Sequence, residues 1–468
     1  MQFRRIGQLV AATTVSAVAL SGAQAVAQEN KTTISVTNIT DIHGHLEDKI
    51  GDPAKAGDEI GVARLQSLIK QVNEGQEFNL TSSGDNVGGS AFVSAISDDK
   101  YTLEALNEMG MKVTAVGNHE FDKGTEDLTG RIADSSDYPI LGANVFKDGK
   151  PLLEASHVEE IDGVKVGYVG TVTENTKYKV SAAKIPGITF TNPAEATNKE
   201  ATRLKESGEA DVVVALMHED AQGFAEDFNK DVDVAFGGDT HVATKGEIER
   251  EGALPLQWAQ GHEYGKLLND VDITFDKTAK KITDISLKQY DATAAAKVEP
   301  DAEIAAIVKK AQQEADIEGA KTAGTVERAL FRGSDENADS GSNRGVESTL
   351  NNFIADGQRY AMSKQVGEDI EIGVMNAGGV RADLKGGDVT YKDIFEVQPF
   401  GNSVITAKIS GEEFINALEN QWQEGSRPRL AMGLSNNVQV VYDQKANKGE
   451  RVKSVTINGE QIDPKKDY

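Results

Sequence analysis

The sequence contains no cysteine, and this absence excludes several kinds of chemistry. Without thiols the chain forms no disulfides and offers no thiolate ligands, so any metal site must use oxygen and nitrogen donors. Lipid attachment through cysteine is excluded as well. Long apolar runs are also missing after Leu20, so nothing in the remainder predicts a membrane-spanning helix. The lack of cysteine does not by itself assign the chain to the cytosol.

Positive charge is scarce relative to negative charge. The chain has 49 Lys and Arg residues against 75 Asp and Glu residues, which gives a formal net charge of −26. A surface this acidic argues against nucleic acid polymers as partners, because it repels their phosphates. A small anionic substrate would need local positive charge, which bound metals and a few arginines can supply.

Residues 1–27 have the pattern of a secretory signal peptide. Arg4 and Arg5 precede an apolar run from Ile6 to Leu20, and Ala25-Val26-Ala27 provides an A-x-A cleavage site. The alternative is a membrane anchor, but the run is short for a bilayer span. We therefore predict removal of these residues and a mature protein in the extracellular space or cell envelope, without a transmembrane segment.

The rest of the chain divides into two predicted domains. Residues 33–290 alternate between apolar strands and helices, which is the pattern of an α/β domain. Residues 298–320 predict a linker helix. Residues 322–468 predict a second domain, with a helix from Val346 to Met362 and a strand from Ile370 to Met375.

A set of polar side chains follows directly after the strand-like runs of the first domain. Aspartate, asparagine and histidine bind divalent cations through oxygen and nitrogen. Because ligands gather at the carboxyl ends of strands in an open α/β sheet, five such ends imply one shared site with more than one metal. The residues are Asp41, His43, Asp85, Asn118, His119, Glu120, His218, Asp239 and His241.

In this order, these motifs resemble the signature of the calcineurin-like dinuclear metallophosphoesterases. Two later stretches, Asn376-Ala-Gly-Gly-Val-Arg381 and Gln398-Pro-Phe-Gly-Asn402, resemble the C-terminal domain of the secreted 5′-nucleotidase, UDP-sugar hydrolase and 2′,3′-cyclic phosphodiesterase family. The resemblance covers roughly residues 33–468. It implies an α/β fold in which an N-terminal αββα four-layer metallophosphoesterase sandwich precedes a second α/β domain that binds substrate.

The resemblance also implies which residues hold two divalent cations, such as manganese or zinc. A bridging carboxylate can hold two cations about 3.5–4 Å apart. The matching residues are Asp41, His43 and His241 for one metal, Asn118, His218 and Asp239 for the other, and Asp85 as the bridge.

Asp239 departs from the family, which usually has histidine at this position. One hypothesis is that the carboxylate replaces the imidazole and shifts metal preference toward harder ions such as Mn²⁺ or Mg²⁺ over Zn²⁺. The rival hypothesis is that one metal is lost. His262 is a further donor nearby in the sequence, but no family residue maps onto it.

His119 and Asp122 match a catalytic dyad of the family. The resemblance implies that His119 stabilises charge on the phosphoryl oxygens and protonates the leaving oxygen. Asp122 would orient and charge the imidazole. The alternative for Asp122 is a solvated turn residue, and Glu120 is predicted to be structural.

In the second domain the resemblance implies a nucleotide site. Glycines let a backbone approach a ligand closely, and an arginine presents a planar fork to phosphate or carboxylate. The implied residues are Asn376, Gly378, Gly379, Arg381, Phe400, Asn402 and Arg344.

Without the resemblance, Phe400 would be a core residue and Arg344 a solvated one. Family members continue past the equivalent of Tyr468 with a second aromatic wall, so we expect the second domain to be incomplete here.

The sequence thus predicts a secreted, metal-dependent hydrolase that releases phosphate from nucleotides, with UDP-sugars and 2′,3′-cyclic phosphates as further substrates. Two alternatives stay open. One is a sulfur-compound hydrolase of the same fold, which the nucleobase motif Phe400-Gly401-Asn402 argues against. The other is a secreted protein that binds nucleotides or metals without turnover, which the His119 and Asp122 pair argues against.

Overall fold

The computed structural model describes residues 30–334, 343–399, 402, 404–423 and 428–468. It divides into two compact units, the first ending at Gln312 and the second covering Gln313–Tyr468. The predicted signal peptide, residues 1–27, lies outside the described residues. No helix in the described part of the chain is both long and apolar enough to span a membrane.

The first unit contains strands and helices in alternation, as its sequence predicts. Its strands are β1 (Lys31–Ile39), β2 (Phe78–Ser82), β3 (Met111–Ala115), β4 (Ile140–Leu141), β5 (Val145–Lys147), β6 (Lys150–Pro151), β7 (Ser156–Ile161), β8 (Val164–Val172), β9 (Ile188–Phe190), β10 (Val212–His218), β11 (Val234–Gly237), β12 (Ala243–Ile248), β13 (Leu256–Gly261), β14 (Leu267–Asp276) and β15 (Lys281–Asp291). Its helices are α1 (Val62–Val72), α2 (Phe92–Ala95), α3 (Lys100–Glu108), α4 (Thr125–Asp127), α5 (Thr176–Lys179), α6 (Pro193–Ser207), α7 (Ala221–Phe224), α8 (Ala292–Ala295) and α9 (Ala302–Gly319).

Two six-stranded sheets form the centre of this unit. The first has the order β15-β14-β1-β2-β3-β4, and the second has the order β12-β13-β11-β10-β8-β7. Strands β1 to β4 run parallel to one another, as do β8, β10, β11 and β13. Parallel strands end at the same edge of a sheet, so the loops after β1, β2 and β3 meet, as do those after β10 and β11.

Strand β10 shows how one sequence serves two layers. Alternate side chains of a strand point to opposite faces. Val212, Val214 and Leu216 are buried in the core between the sheets. Val213 and Ala215 are buried in the core beneath the outer helices, with Ala201 and Leu204 of α6. A strand buried on both faces reads as an unbroken apolar run, which is what the sequence contains.

Helix α6 belongs to an outer layer, and its ends are set by local chemistry. Asn192 caps the start, because its side chain accepts a hydrogen bond from the Glu195 N–H at 2.9 Å, and Pro193 occupies the first turn. Gly208 ends the helix with a left-handed φ of 71°. Together with helix α1 on the first sheet, this arrangement confirms the predicted αββα sandwich.

Helix α9 covers most of the predicted linker at 298–320, and the division between the two units falls inside it. The second unit contains shorter elements. They are β16 (Thr322–Val326), α10 (Thr349–Val366), β17 (Val374–Met375), β18 (Gly387–Thr390), α11 (Tyr391–Val397), α12 (Gly411–Glu419), β19 (Gly433–Leu434), β20 (Val438–Tyr442), β21 (Val452–Ile457) and β22 (Glu460–Gln461).

Helix α10 begins later than predicted. The apolar pattern starts at Val346, but Ser348 is the N-cap, because its hydroxyl accepts a hydrogen bond from the Asn351 N–H at 3.0 Å. The residues before Ser348 therefore stay outside the helix.

The strand predicted from Ile370 to Met375 is wrong over most of its length, since only Val374–Met375 pairs as a strand. Side chains satisfy the backbone upstream. The Ile370 N–H donates to Ser363 Oγ at 3.0 Å, and the Ile370 carbonyl accepts from Arg359 Nε at 2.6 Å. Backbone groups bonded to side chains in this way do not enter a sheet ladder.

Candidate metal centre and arginine cavity

The seven predicted metal ligands lie at the carboxyl ends of strands from both sheets. Loops after β1, β2 and β3 supply four of them, and the end of β10 and the loop after β11 supply the other three. The ligands after the first sheet are Asp41, His43, Asp85 and Asn118, and those of the second sheet are His218, Asp239 and His241. Except for His241 and Asp239, these residues are buried. The sequence prediction that they converge is therefore consistent with the structure.

One side of the cluster is formed by Asp41, His43 and His241. His241 Nε2 lies 3.4 Å from Asp41 Oδ1, and His43 Nε2 lies 3.9 Å from the same oxygen. His43 Nδ1 is bonded to the Gly88 carbonyl at 2.6 Å, which turns Nε2 toward the carboxylates. His43 Nε2 is also 3.6 Å from Asp85 Oδ2.

The other side is formed by Asn118, His218 and Asp239. His218 Nε2 lies 3.0 Å from Asp85 Oδ2 and 3.7 Å from Asp239 Oδ1. The Asn118 side-chain amide lies 2.9 Å from Asp239 Oδ1. Asp85 Oδ2 thus faces a histidine of each side, which is the position a bridging carboxylate needs.

The backbone at these residues is strained. Five of them have positive φ angles, a region that L residues rarely occupy: Asp41 (51°), His43 (45°), Asp85 (51°), Asp239 (68°) and His241 (57°). Each such residue costs on the order of 1 kcal/mol or more and persists only where the surrounding structure holds it. The concentration of strain at the donors supports a functional role for the cluster.

Glu120 holds two of the donor loops in place. Its buried carboxylate accepts hydrogen bonds from the backbone N–H groups of Gly117 at 2.7 Å, Asn86 at 2.8 Å and Asp85 at 3.0 Å. Gly117 packs so tightly that an added Cβ would lie 2.1 Å from Asp85 Oδ1. The predicted structural role of Glu120 agrees with these contacts.

The electrostatics of the cluster favour positive charge. Burial by itself lowers the pKa of His218, but Asp85 and Asp41 outweigh it and raise the pKa well above its ordinary value. Burial also lowers the pKa of His241, and Asp41 again raises it. At His43 burial prevails and lowers the pKa. Divalent cations would compete with protons for these nitrogens.

The donor set fits divalent cations. His218 Nδ1 is bonded to the Ser83 carbonyl at 2.8 Å. His218 Nε2 is buried and, although Asp85 Oδ2 lies 3.0 Å away, makes no hydrogen bond of good geometry in the described structure. A buried imidazole nitrogen that lies beside carboxylates without a good hydrogen bond is typical of a histidine that binds a metal. Three groups of side chains have ligand atoms within 4.8 Å of one another: Asp41, His43 and His241; His43, Asp85 and His119; Asp41, Asp85 and His218.

His119 and Asp122 form a hydrogen-bonded pair beside the cluster. His119 Nδ1 lies 2.8 Å from Asp122 Oδ2, and the backbone N–H of His119 donates to Asp85 Oδ1 at 2.8 Å. Burial alone lowers the pKa of His119, but Asp85 and Asp122 raise it to about 9. Asp122 is thus paired with the imidazole, and the solvated-turn alternative does not describe it.

Tyr264 and Lys179, which the sequence motifs do not mark, also contact the cluster. The Tyr264 N–H donates to the Asp41 carbonyl at 2.8 Å, and the Tyr264 ring stacks on His45 with centroids 3.7 Å apart. Lys179 Nζ donates to Asp239 Oδ1. Tyr264 follows β13, a parallel neighbour of β11, and that strand end was the available signal. His262 Nδ1 instead pairs with the adjacent Glu263.

The second unit contains a separate cavity of about 230 Å³ with a basic lining. Arg344 and Arg381, both predicted substrate residues, lie on its wall. Arg332 lies there too, but its Nη1 donates to the Arg381 carbonyl at 2.8 Å and its Nε to Asp383 at 3.2 Å. The full described lining is Arg332, Gly333, Asn343, Arg344, Val346, Ser348, Asn351, Ala377, Val380, Arg381 and Ala431.

The other predicted substrate residues have different outcomes. Gly378 lies beside Arg344, since an added Cβ would be 3.6 Å from Arg344 Nη1. Asn376 and Gly379 belong to the same loop, and a Cβ on Gly379 would meet the Asn376 side chain at 2.7 Å. Asn402 is exposed, and the described lining of the cavity does not include it. Phe400 lies outside the described residues.

Two family models match the chain. The calcineurin-like phosphoesterase model matches residues 34–243, and the model of the 5′-nucleotidase C-terminal domain matches residues 322–468. The chain therefore belongs to the calcineurin-like phosphoesterases with a 5′-nucleotidase C-terminal domain, a class of metal-dependent phosphoester hydrolases. This finding confirms the resemblance drawn from the sequence motifs.

Individual relatives agree with this assignment. Endonuclease YhcR of Bacillus subtilis is 31% identical over 82% of this chain and 32% of that protein. The 5′-nucleotidase of Vibrio cholerae is 25% identical over 77% of this chain and 71% of its own length. Three of the curated relatives, YhcR included, are longer proteins of which the chain spans less than two thirds.

A solved structure, the 5′-nucleotidase precursor from Thermus thermophilus, has the same fold. The TM-score is 0.68 at 21% identity, and the match covers 93% of this chain and 88% of that one.

Proposed function

We propose that this chain is a secreted phosphohydrolase that uses two divalent cations to release phosphate from nucleotides. The observation that supports this most directly is the donor cluster. Asp85 Oδ2 faces a histidine on each side, and His218 Nε2 is buried without a hydrogen bond of good geometry. In this proposal Asp41, His43 and His241 hold one cation, Asn118, His218 and Asp239 hold the other, and Asp85 bridges them.

The cations, when bound, would neutralise phosphoryl oxygens and make water a nucleophile near neutral pH. The chain's own residues do the rest. An ionised carboxylate can only accept hydrogen bonds, so Asp122 accepts from His119 Nδ1. This bond leaves His119 Nε2 to hold a proton, which the raised pKa of about 9 retains at neutral pH. His119 would donate that proton to the leaving oxygen.

The cavity of the second unit is proposed to bind the nucleotide. Arg344 and Arg381 provide planar, permanently charged groups in a protein whose net charge is −26. The loop Ala377–Gly379 brings backbone close to Arg344. Arg332 is bonded to Asp383 and would shape the wall. The acidity of the whole chain supports small nucleotides rather than nucleic acid polymers as substrates.

Secretion is proposed from the N-terminal pattern alone. Residues 1–27 combine two arginines, an apolar run and an A-x-A site. The expected location is the extracellular space or the cell envelope.

Phosphate release tests the proposal. Protein purified from Gln28 onward is stripped of metal, and Mn²⁺, Mg²⁺, Zn²⁺ or Ca²⁺ is then added. Phosphate is measured with AMP, UMP and glucose 1-phosphate are measured with UDP-glucose, and adenosine monophosphate is measured with 2′,3′-cyclic AMP. Metal-dependent release from AMP, reduced about 100-fold in His119→Ala, is the expected result, with Mn²⁺ or Mg²⁺ preferred over Zn²⁺ because Asp239 is a hard donor.

DNA and RNA are included as substrates because one relative is named an endonuclease. Cleavage of DNA or RNA into shorter fragments, without phosphate release from nucleotides, would overturn the substrate class. Nucleotide binding without release under any metal would overturn the catalytic proposal and leave a secreted binding protein.

A further inference from the structure

Lys179, which was not predicted as a site residue, contacts the donor cluster. It is the last residue of α5, the short helix that follows β8, and β8 neighbours β10 in the second sheet. Its ammonium donates to Asp239 Oδ1. The Lys179 side chain is 37% exposed, whereas that of Asp239 is 9% exposed. The partly exposed Lys179 side chain thus brings its positive charge into contact with a nearly buried carboxylate.

The oxygen that Lys179 contacts is also the one that faces the second cation site. Asp239 Oδ1 lies 3.7 Å from His218 Nε2 and 2.9 Å from the Asn118 side-chain amide. A cation held by Asn118, His218 and Asp239 would therefore share its carboxylate oxygen with an ammonium. Two positive charges around one oxygen repel each other, and at this range and burial salt screens the repulsion little.

Among the described residues, no lysine or arginine forms a hydrogen bond or ion pair with Asp41, the carboxylate of the opposite side. Asp41 accepts from the Thr40 hydroxyl at 2.6 Å and the Asp239 N–H at 3.2 Å, and it faces the imidazole of His241 at 3.4 Å. The hydroxyl and the backbone N–H are neutral donors, which compete with a cation far less than an ammonium does. The two sides of the cluster are therefore electrostatically unequal.

We propose that Lys179 competes with a divalent cation for Asp239, which makes the Asn118–His218–Asp239 side the weaker of two unequal cation sites. This inference rests on the proposed two-cation function. At limiting metal the chain holds one cation on the Asp41–His43–His241 side, while Lys179 supplies the positive charge of the other. Filling the second site requires Lys179 to leave Asp239, which its exposed side chain permits.

Metal binding, rather than turnover, tests this inference. Metal-free protein is titrated with Mn²⁺ by calorimetry, and free Mn²⁺ is counted by electron paramagnetic resonance. The expected wild-type result is two unequal sites. Lys179→Met should tighten the weaker site at least tenfold and leave the stronger site within twofold. Lys177→Met removes a charge from the same helix without touching Asp239, and it should leave both sites unchanged.

Two further variants sharpen the result. Lys179→Arg keeps the charge and should retain the unequal affinities. Asp239→Asn removes the shared carboxylate. The double variant Asp239→Asn with Lys179→Met should therefore bind Mn²⁺ with the same affinities as Asp239→Asn alone. Unchanged affinities in Lys179→Met, or a weaker second site, would overturn the inference, the latter by showing that the lysine orients Asp239 for the metal.

The same titration separates this inference from the proposed function. Folded protein that binds no Mn²⁺ in any variant would contradict the two-cation function itself. Two sites of equal affinity in the wild type would contradict only the role of Lys179.

Discussion

The donor cluster of the first unit and the arginine cavity of the second are built in opposite ways. The cluster is mostly buried, its backbone is strained at five residues, and Glu120 ties its loops together. In the cavity, Arg381 is exposed and the wall comes from loops and helix starts. The difference teaches that rigid strand ends fix the groups that need exact geometry, while long side chains on loops suffice for charge.

The comparison predicts that removal of a ligand from the donor cluster causes the largest loss of activity. His218→Ala removes a buried ligand, and we expect phosphate release to fall by about 1,000-fold or more, because several kcal/mol of transition-state stabilisation depend on the cation it holds. Bound metal per chain should fall in parallel, measured by elemental analysis after gel filtration. His157→Ala, a surface histidine paired with Glu159, is the control. Full activity in His218→Ala would contradict the ligand assignment.

His119→Ala should cost about 100-fold in kcat while the metal content stays at the wild-type value, because His119 acts on a proton rather than as a ligand. Asp122→Asn should reduce kcat less, since the imidazole remains. Steady-state kinetics with AMP and elemental analysis on the same samples provide the measurement. Equal losses of metal and turnover in His119→Ala would show a supporting role in the ligand shell instead.

Breaking the cavity should change binding rather than chemistry. Arg344→Met and Arg381→Met each remove a charged contact of about 1.5 kcal/mol, so KM for AMP should rise about tenfold. Turnover of p-nitrophenyl phosphate, which lacks a nucleoside, should be unchanged. Arg328→Met, an exposed arginine outside the cavity lining, is the matched control. If both substrates lose activity equally, the arginines serve the chemistry or the fold.

The smallest effect on activity is expected from the scaffold of the cluster. Glu120→Gln weakens hydrogen bonds to four backbone N–H groups, and we expect the free energy of unfolding to fall by about 2 kcal/mol. Urea unfolding of metal-free protein measures it, with the exposed Glu126→Gln as control. A variant as stable as the wild type would show that the donor loops hold their shape without Glu120.

Much of the first unit could be predicted because its signals are local. The apolar run ending at His218 is a strand buried on both faces, and the polar residues after it stand at a strand end whatever the partners are. The boundaries of β2 match the prediction, and the sandwich follows from the alternation of elements. In the second unit the strand prediction fails at Ile370, because its backbone forms hydrogen bonds with the Ser363 and Arg359 side chains instead of with a neighbouring strand.

The cavity lining was predictable only in part. Arg344 and Arg381 were found through motifs, whereas Arg332, Ser348 and Asn351 were not, because nothing in their local sequence marks them as neighbours. Lys179 was missed for the same reason: it is 60 residues from Asp239 along the chain. The assignment of each residue to a cation or a substrate stays a prediction.

The sequence by itself determined the class of chemistry, because donor type and position after a strand are written locally in the chain. It also determined the layered α/β fold of the first unit through the period of its apolar residues. Only the tertiary structure decided which donors face one another, that Asp85 lies between the two sides, and that Lys179 occupies an oxygen of Asp239. Those relations depend on the register of distant strands, and no local propensity encodes the distance between two loops that meet only in the folded chain.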